Sequence, residues 1–153
     1  MENTNTQDIL SLLEWQDDIF ETLDNNVEID EVEAGDTIVA LNANEAETLN
    51  LTVNDNATVV GKGALTVTNL SATDATKLNI KSDADLTILN VVDPATAILA
   101  TIDANTSTGN LTISNVNTVA TGATIILGAG NDVYTVGTSN GADTITLGKG
   151  ADK

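Results

Sequence analysis

The chain has 153 residues, with 23 acidic against 5 basic side chains and a net charge of −18 at pH 7. Such a surface repels nucleic acid and anionic lipid, which drop out as partners, and it makes divalent cations the natural counter-charge. Without a cysteine or a histidine there are no disulfides, no thiolate metal sites and no Ser-His-Asp or Cys-His catalysis.

The length suits one domain with a continuous but narrow core. Trp15, Phe20 and Tyr134 are the only aromatics, so that core must be aliphatic, as in stacked short strands. No 18-residue apolar run crosses the sequence, so no membrane insertion is expected. No basic and apolar leader opens it.

Residues 1–24 read as a polar tail followed by an amphipathic helix over 7–23. Ile9, Leu12, Leu13, Phe20 and Leu23 fall at helical spacing, and Leu10, Trp15 and Ile19 widen the stripe. Thr6 is placed to cap the helix, with Asp8 in its first turn. A lone helix of this length must dock its apolar face, either as a cap on the end of a strand stack or as an arm onto another subunit. Residues 25–36 read as an acidic linker in which Val27, Ile29 and Val32 alternate well enough for an edge strand.

From residue 37 short strands succeed one another, with turns of Asn, Asp, Gly and Ser between them. The pattern predicts strands over 37–41, 48–53, 58–60, 65–68, 77–80, 86–89, 97–102, 111–114, 124–127, 133–136 and 144–147. A recurring triplet, Leu51-Thr52-Val53, Leu65-Thr66-Val67, Leu86-Thr87-Ile88 and Leu111-Thr112-Ile113, puts two aliphatics on one face and threonine on the other. Pro94 should mark a turn. Gly61-Lys62-Gly63 and Gly148-Lys149-Gly150 lack the length and the Ser/Thr of a phosphate loop and read as plain turns. The acceptor triplets at Asn50, Asn56, Asn69, Asn105 and Asn110 follow from a composition rich in Asn and Thr. Asp83 and Asp85 have no catalytic partner class beside them. The Thr-X-Thr runs, such as Thr66-Val67-Thr68, read as too irregular to stack as a ladder.

Residues 127–153 carry three glycine and acid turns: Leu127-Gly128-Ala129-Gly130-Asn131-Asp132, then Asn140-Gly141-Ala142-Asp143, then Leu147-Gly148-Lys149-Gly150-Ala151-Asp152. Each of the first two is followed by a β-prone run. Glycine permits the turn backbone and aspartate supplies hard anionic oxygen, of which Ca²⁺ takes six to eight. Two short units per coil would stack Asp132 on Asp152, with Asp143 on the opposite side and Thr124 as its equivalent one coil earlier. The bland reading is a set of ordinary Asn-Asp and Gly-Ala-Asp β-turns.

The alternation resembles the calcium-binding nonapeptide of RTX proteins, although Leu127 and Leu147 stand where that motif has its first glycine. With the acidic, Thr- and Asn-rich composition, the chain is most similar to RTX-type surface proteins of Gram-negative bacteria, above all their S-layer proteins. The resemblance implies an all-β parallel β-solenoid or β-roll, with coils over 37–126 and calcium-binding coils over 127–153 that continue past Lys153. It implies Ca²⁺ held by Gly128, Gly130 and Asp132 with Gly148, Gly150 and Asp152, and half of a second site at Gly141 and Asp143. It further implies a non-enzymatic, self-associating surface protein, exported by a type I route with a C-terminal signal. Its partners would be other copies of itself and cell-surface polysaccharide. A calcium-dependent adhesin or binding module, and an accessory roll of a larger secreted enzyme, are the alternatives.

Overall fold

The computed structural model describes residues 25–56, 58, 60–92, 98–118, 121–137 and 141–153. The helix expected over 7–23 and the turn at Pro94 lie outside them. Eleven strands follow one another: β1 Asn25–Val32, β2 Ala34–Asn42, β3 Thr48–Asp55, β4 Ala64–Ser71, β5 Lys77–Ser82, β6 Asp85–Val92, β7 Thr101–Asp103, β8 Leu111–Val116, β9 Thr124–Ile126, β10 Val133–Val136 and β11 Thr144–Thr146. Among the described residues there is no helix.

The strands sort by parity. The odd ones form one sheet in the order β1-β3-β5-β7-β9-β11, and the even ones a second in the order β10-β8-β6-β4-β2. Every pairing is parallel. Each turn therefore carries the chain from one sheet to the other, and each pair of turns advances it by one strand, an all-β arrangement of solenoid-like kind.

The step between paired residues is uneven. Thr37 pairs with Thr66, 29 residues on, and Leu65 with Leu86, 21 on. Thr124 pairs with Thr144, 20 on. Turn length absorbs the difference while the strands keep register, which is why no fixed period can be read from the sequence.

Register builds apolar columns. In the odd sheet Leu49, Leu78, Ile102 and Ile125 align, and in the even sheet Ile38, Val67, Ile88 and Ile113 align and end on Tyr134. All are buried, and the two sets of columns form one narrow aliphatic core between the sheets. Parallel strands leave no hairpins, so order comes almost entirely from contacts across coils.

Several sequence expectations change. The stretch 25–36 is strand rather than linker: the alternation of Val27, Ile29 and Val32 does form an edge strand, β1, at one end of the odd sheet, and the stretch also holds the opening of β2. Burial of Val27, Ile29 and Val32 outweighs its charge. Where a strand is expected over 58–60, the described residues Thr58 and Val60 lie in a turn and a bend, and of the strand expected over 97–102 the described part begins only at Thr101. No break separates 37–126 from 127–153, because both sheets run through that point. Threonines do stack: Thr37, Thr66, Thr87 and Thr112 stand in register, as do Thr101, Thr124 and Thr144.

Asparagines form ladders of their own along the strands, which no motif in the sequence announced. Asn79 donates to Asn50 and Asn50 to Asn26 on the odd sheet. Asn115 donates to Asn90 and Asn90 to Asn69 on the even sheet. Each carboxamide is both donor and acceptor, so a column of them is self-satisfying along the stacking direction.

Candidate metal centre

The three glycine and acid turns fall on two edges of the strand stack. Residues 127–132 connect β9 to β10 and residues 147–152 follow β11, so Asp132 and Asp152 share an edge. Asp143 lies between β10 and β11, on the other.

Asp132 is fully buried for a simple reason of register. Leu65, Leu86 and Leu111 form an inward column of the even sheet, and Asp132, one residue before the Val133–Thr112 pair, takes the next place in it. Its Oδ1 accepts from Leu111 N at 2.9 Å and its Oδ2 from Gly128 N at 3.1 Å. Its own N donates to Asp152 Oδ1 at 2.9 Å. Burial pushes the Asp132 carboxyl above its ordinary 3.8, the two N–H donors pull it down by less, and the neighbouring Asp152 charge adds to the rise. A carboxylate thus stands in a leucine column beside a second carboxylate.

The glycines permit this stacking. A Cβ on Gly148 would lie 1.9 Å from Gly128 O, and one on Gly150 would lie 1.9 Å from Gly130 O. Gly148 and Gly150 also hold φ of 90° and 140°. The turns are therefore in direct backbone contact. Asn131 repeats the carboxamide device at this edge: its N donates to Asn110 Oδ1 and its Oδ1 accepts from Ala151 N. In place of the glycines, Leu127 is buried and Leu147 packs on the core, which explains the apolar residue at that position.

A rung missed in the sequence precedes these turns. Ser107-Thr108-Gly109-Asn110-Leu111 lies 21 residues before Gly128-Ala129-Gly130-Asn131-Asp132, with Ala129 N donating to Ser107 O and Gly130 pressed against Gly109 O. The repeated Gly-Asn dipeptide was the available signal. The rung ends in Leu111 where the later ones end in aspartate. Asp85 closes the same edge higher up: burial raises its carboxyl, but the Lys62 ammonium at 2.8 Å and two hydrogen bonds from Asn110 outweigh that and hold it below 3.8.

On the other edge Asp143 Oδ1 accepts from Ala123 N at 2.8 Å, and Thr118 Oγ1 lies 3.2 Å away. The residue in register with Asp143 is Ala123 rather than Thr124, because Thr124 pairs with Thr144. Gly122, at φ 94°, faces Ala142 O, 2.3 Å from where its Cβ would sit. Gly141 is two residues before Asp143 in this turn and half-buried. Tyr134, at the end of its apolar column, buries a hydroxyl with no hydrogen-bond partner among the described residues. Burial, then the Asp143 charge, pushes its pKa up to about 12. Tyr134→Phe removes an unpaired polar atom and is expected to be neutral or stabilising by about 1 kcal/mol in urea unfolding. A clear loss would mean that the hydroxyl is paired.

Among the described residues no three acidic side chains converge on one point. The carboxylates here act first as acceptors for backbone N–H groups of the neighbouring coil. What remains at the 127–132 and 147–152 edge is a donor set of two carboxylates and closely stacked glycine carbonyls, all hard oxygen. That chemistry fits Ca²⁺ and not zinc or copper. A second feature is a shallow groove of about 270 Å³ on the odd sheet, lined by Asn50, Thr52, Asn79, Lys81, Asp103, Asn105 and Thr106 with parts of Leu51 and Ile80.

Comparison with known protein families, with curated proteins and with solved structures finds no match to the chain.

Proposed function

We propose that this chain is a structural, self-associating cell-surface protein of S-layer-like type, its two sheets wound as a parallel β-roll that Ca²⁺ stabilises. The single observation that carries the calcium reading is Asp132, a buried carboxylate in a leucine column with Asp152 bonded to its own backbone. An ionised acid in that place raises the free energy of the fold unless a cation offsets it. Asp132 and Asp152, with carbonyls of Gly128, Gly130, Gly148 and Gly150, would hold the ion; Asp143 and Gly141 would furnish part of a second. The ion supplies positive charge between stacked acids, and its binding free energy adds to folding. Secretion by a type I route, non-enzymatic character and a place at the cell surface rest on the RTX resemblance of residues 127–153.

Far-UV circular dichroism during Ca²⁺ titration of chelator-stripped protein tests this reading. The expected result is a cooperative gain of β-signal and a rise in urea stability of about 2.7 kcal/mol at a hundredfold excess over Kd. Particle size should grow over the same range. A fully β-rich spectrum indifferent to calcium would reduce these turns to plain turns.

A second reading, a calcium-dependent binding module, is favoured by the odd-sheet groove. Its carboxamides, hydroxyls, Asp103 and Lys81 suit the hydroxyl groups of a polysaccharide. Retention of the folded monomer on a polysaccharide matrix, lost in Asn79→Ala/Lys81→Ala, would support it.

A further inference from the structure

The outer face of the even sheet carries no charge between its margins, where Asp85 pairs with Lys62 and Lys153 bonds to β10. From Thr37, Ala64, Thr87, Leu111 and Val133 to the ends of their strands, no Asp, Glu, Lys or Arg occurs. In a chain of net −18 this is a marked exclusion, and the odd sheet does not share it: β1 carries Glu28 and Asp30, β5 carries Lys77 and Lys81, and β7 carries Asp103. The neutral face is also apolar in a way a free surface need not be. Val39 is 71% exposed and Leu89 40%, two of the five large apolar side chains most open to solvent among the described residues. Around them stand the threonines of the Thr37, Thr66, Thr87, Thr112 ladder, which offer methyl groups as well as hydroxyls.

Resting on the self-association reading above, we propose that this face is the contact by which one copy of the chain meets a second, even sheet against even sheet. Charge points to a second copy. Two molecules of −18 repel over about 8 Å at physiological salt, and only uncharged faces can close that distance without burying like charges against each other. Geometry points the same way. Both copies carry side-chain rows at the same strand spacing of about 4.8 Å, so a two-fold arrangement interdigitates them along the whole face. Size sets the strength. Five strands with about six residues of each give on the order of 400 Å² per copy. That is about half the area of a stable complex, so a single contact is weak and gains strength by repetition in an assembly.

Leu89 lies on β6, the central strand of the even sheet, and so stands close to any two-fold axis through the face. The absence of native cysteine makes cross-linking clean. Full-length Leu89→Cys, in calcium and under mild oxidation, is expected to form disulfide dimers at least tenfold faster than Thr124→Cys on the odd sheet. Val39→Asp/Leu89→Asp should keep the wild-type dichroism and lose the growth in particle size. If the wild type assembles but Leu89→Cys links no faster than Thr124→Cys, or the aspartate pair assembles unchanged, this face is not the contact and the self-association reading stands. If the wild type stays monomeric at every calcium level, the self-association reading itself falls, and the proposal with it.

Discussion

Asp132→Ala is expected to be among the most damaging single changes in the described chain, lowering stability by about 2–5 kcal/mol, because it leaves two buried N–H groups without an acceptor. Those donors are Leu111 N and Gly128 N, one from the coil before and one from the same turn. Loss of the bond to Leu111 should release the last coil first, so amide exchange at Leu111 and Gly128 should speed up well before the core strands β4 and β6 respond. Unchanged exchange at both amides would refute this account of the turn. The acid itself has a pH signature. Its folded pKa is raised above 3.8, so folding takes up a proton between the two values. In chelator, the stability of the wild type relative to Asp132→Asn should be highest below 3.8 and decline as pH rises through the folded value. Calcium should abolish most of that decline at neutral pH. A difference that grew with pH in chelator would show that the carboxylate is stabilised without any cation.

Gly150→Ala is expected to be of similar severity, and it separates backbone geometry from charge. The added Cβ meets Gly130 O at 1.9 Å, and φ 140° lies where side-chain-bearing residues are rarely found. Gly148→Ala meets Gly128 O at the same distance. Each should cost about 2–4 kcal/mol or detach the 147–152 turn from the stack, with loss of the Lys149 N to Gly128 O bond. Gly35 and Gly61 also hold positive φ but would place a Cβ in open space, so alanine there should cost only about 1 kcal/mol. The contrast between the two pairs in urea unfolding isolates close coil contact from backbone strain. Equal losses at all four positions would leave strain as the only cause.

Much of the fold was legible in the residues. Triplets such as Leu65-Thr66-Val67 and Leu86-Thr87-Ile88 announce strands with one buried and one open face, and both are strands in register. The aromatic-poor composition announced a thin aliphatic core. The acid and glycine turns marked the edge where Asp132 and Asp152 meet. In 25–36 the edge strand that Val27, Ile29 and Val32 offered prevails over the linker, because burial of those side chains outweighs the charge between them. The threonine ladder was missed because steps of 29, 21 and 25 residues conceal it. The Ser107 to Leu111 rung was missed because it lacks an acid.

By itself the sequence determined most of the strands, since apolar alternation acts over a few residues and glycine and aspartate fix turns locally. It also determined the excess negative charge and the hard-oxygen donors. Only the tertiary structure decided which strands pair, because parallel coils join residues 20 or more positions apart and the turns between them vary in length. That register alone puts a carboxylate into a column of leucines, and it alone gathers scattered neutral residues of five strands into one face that is uncharged between its margins.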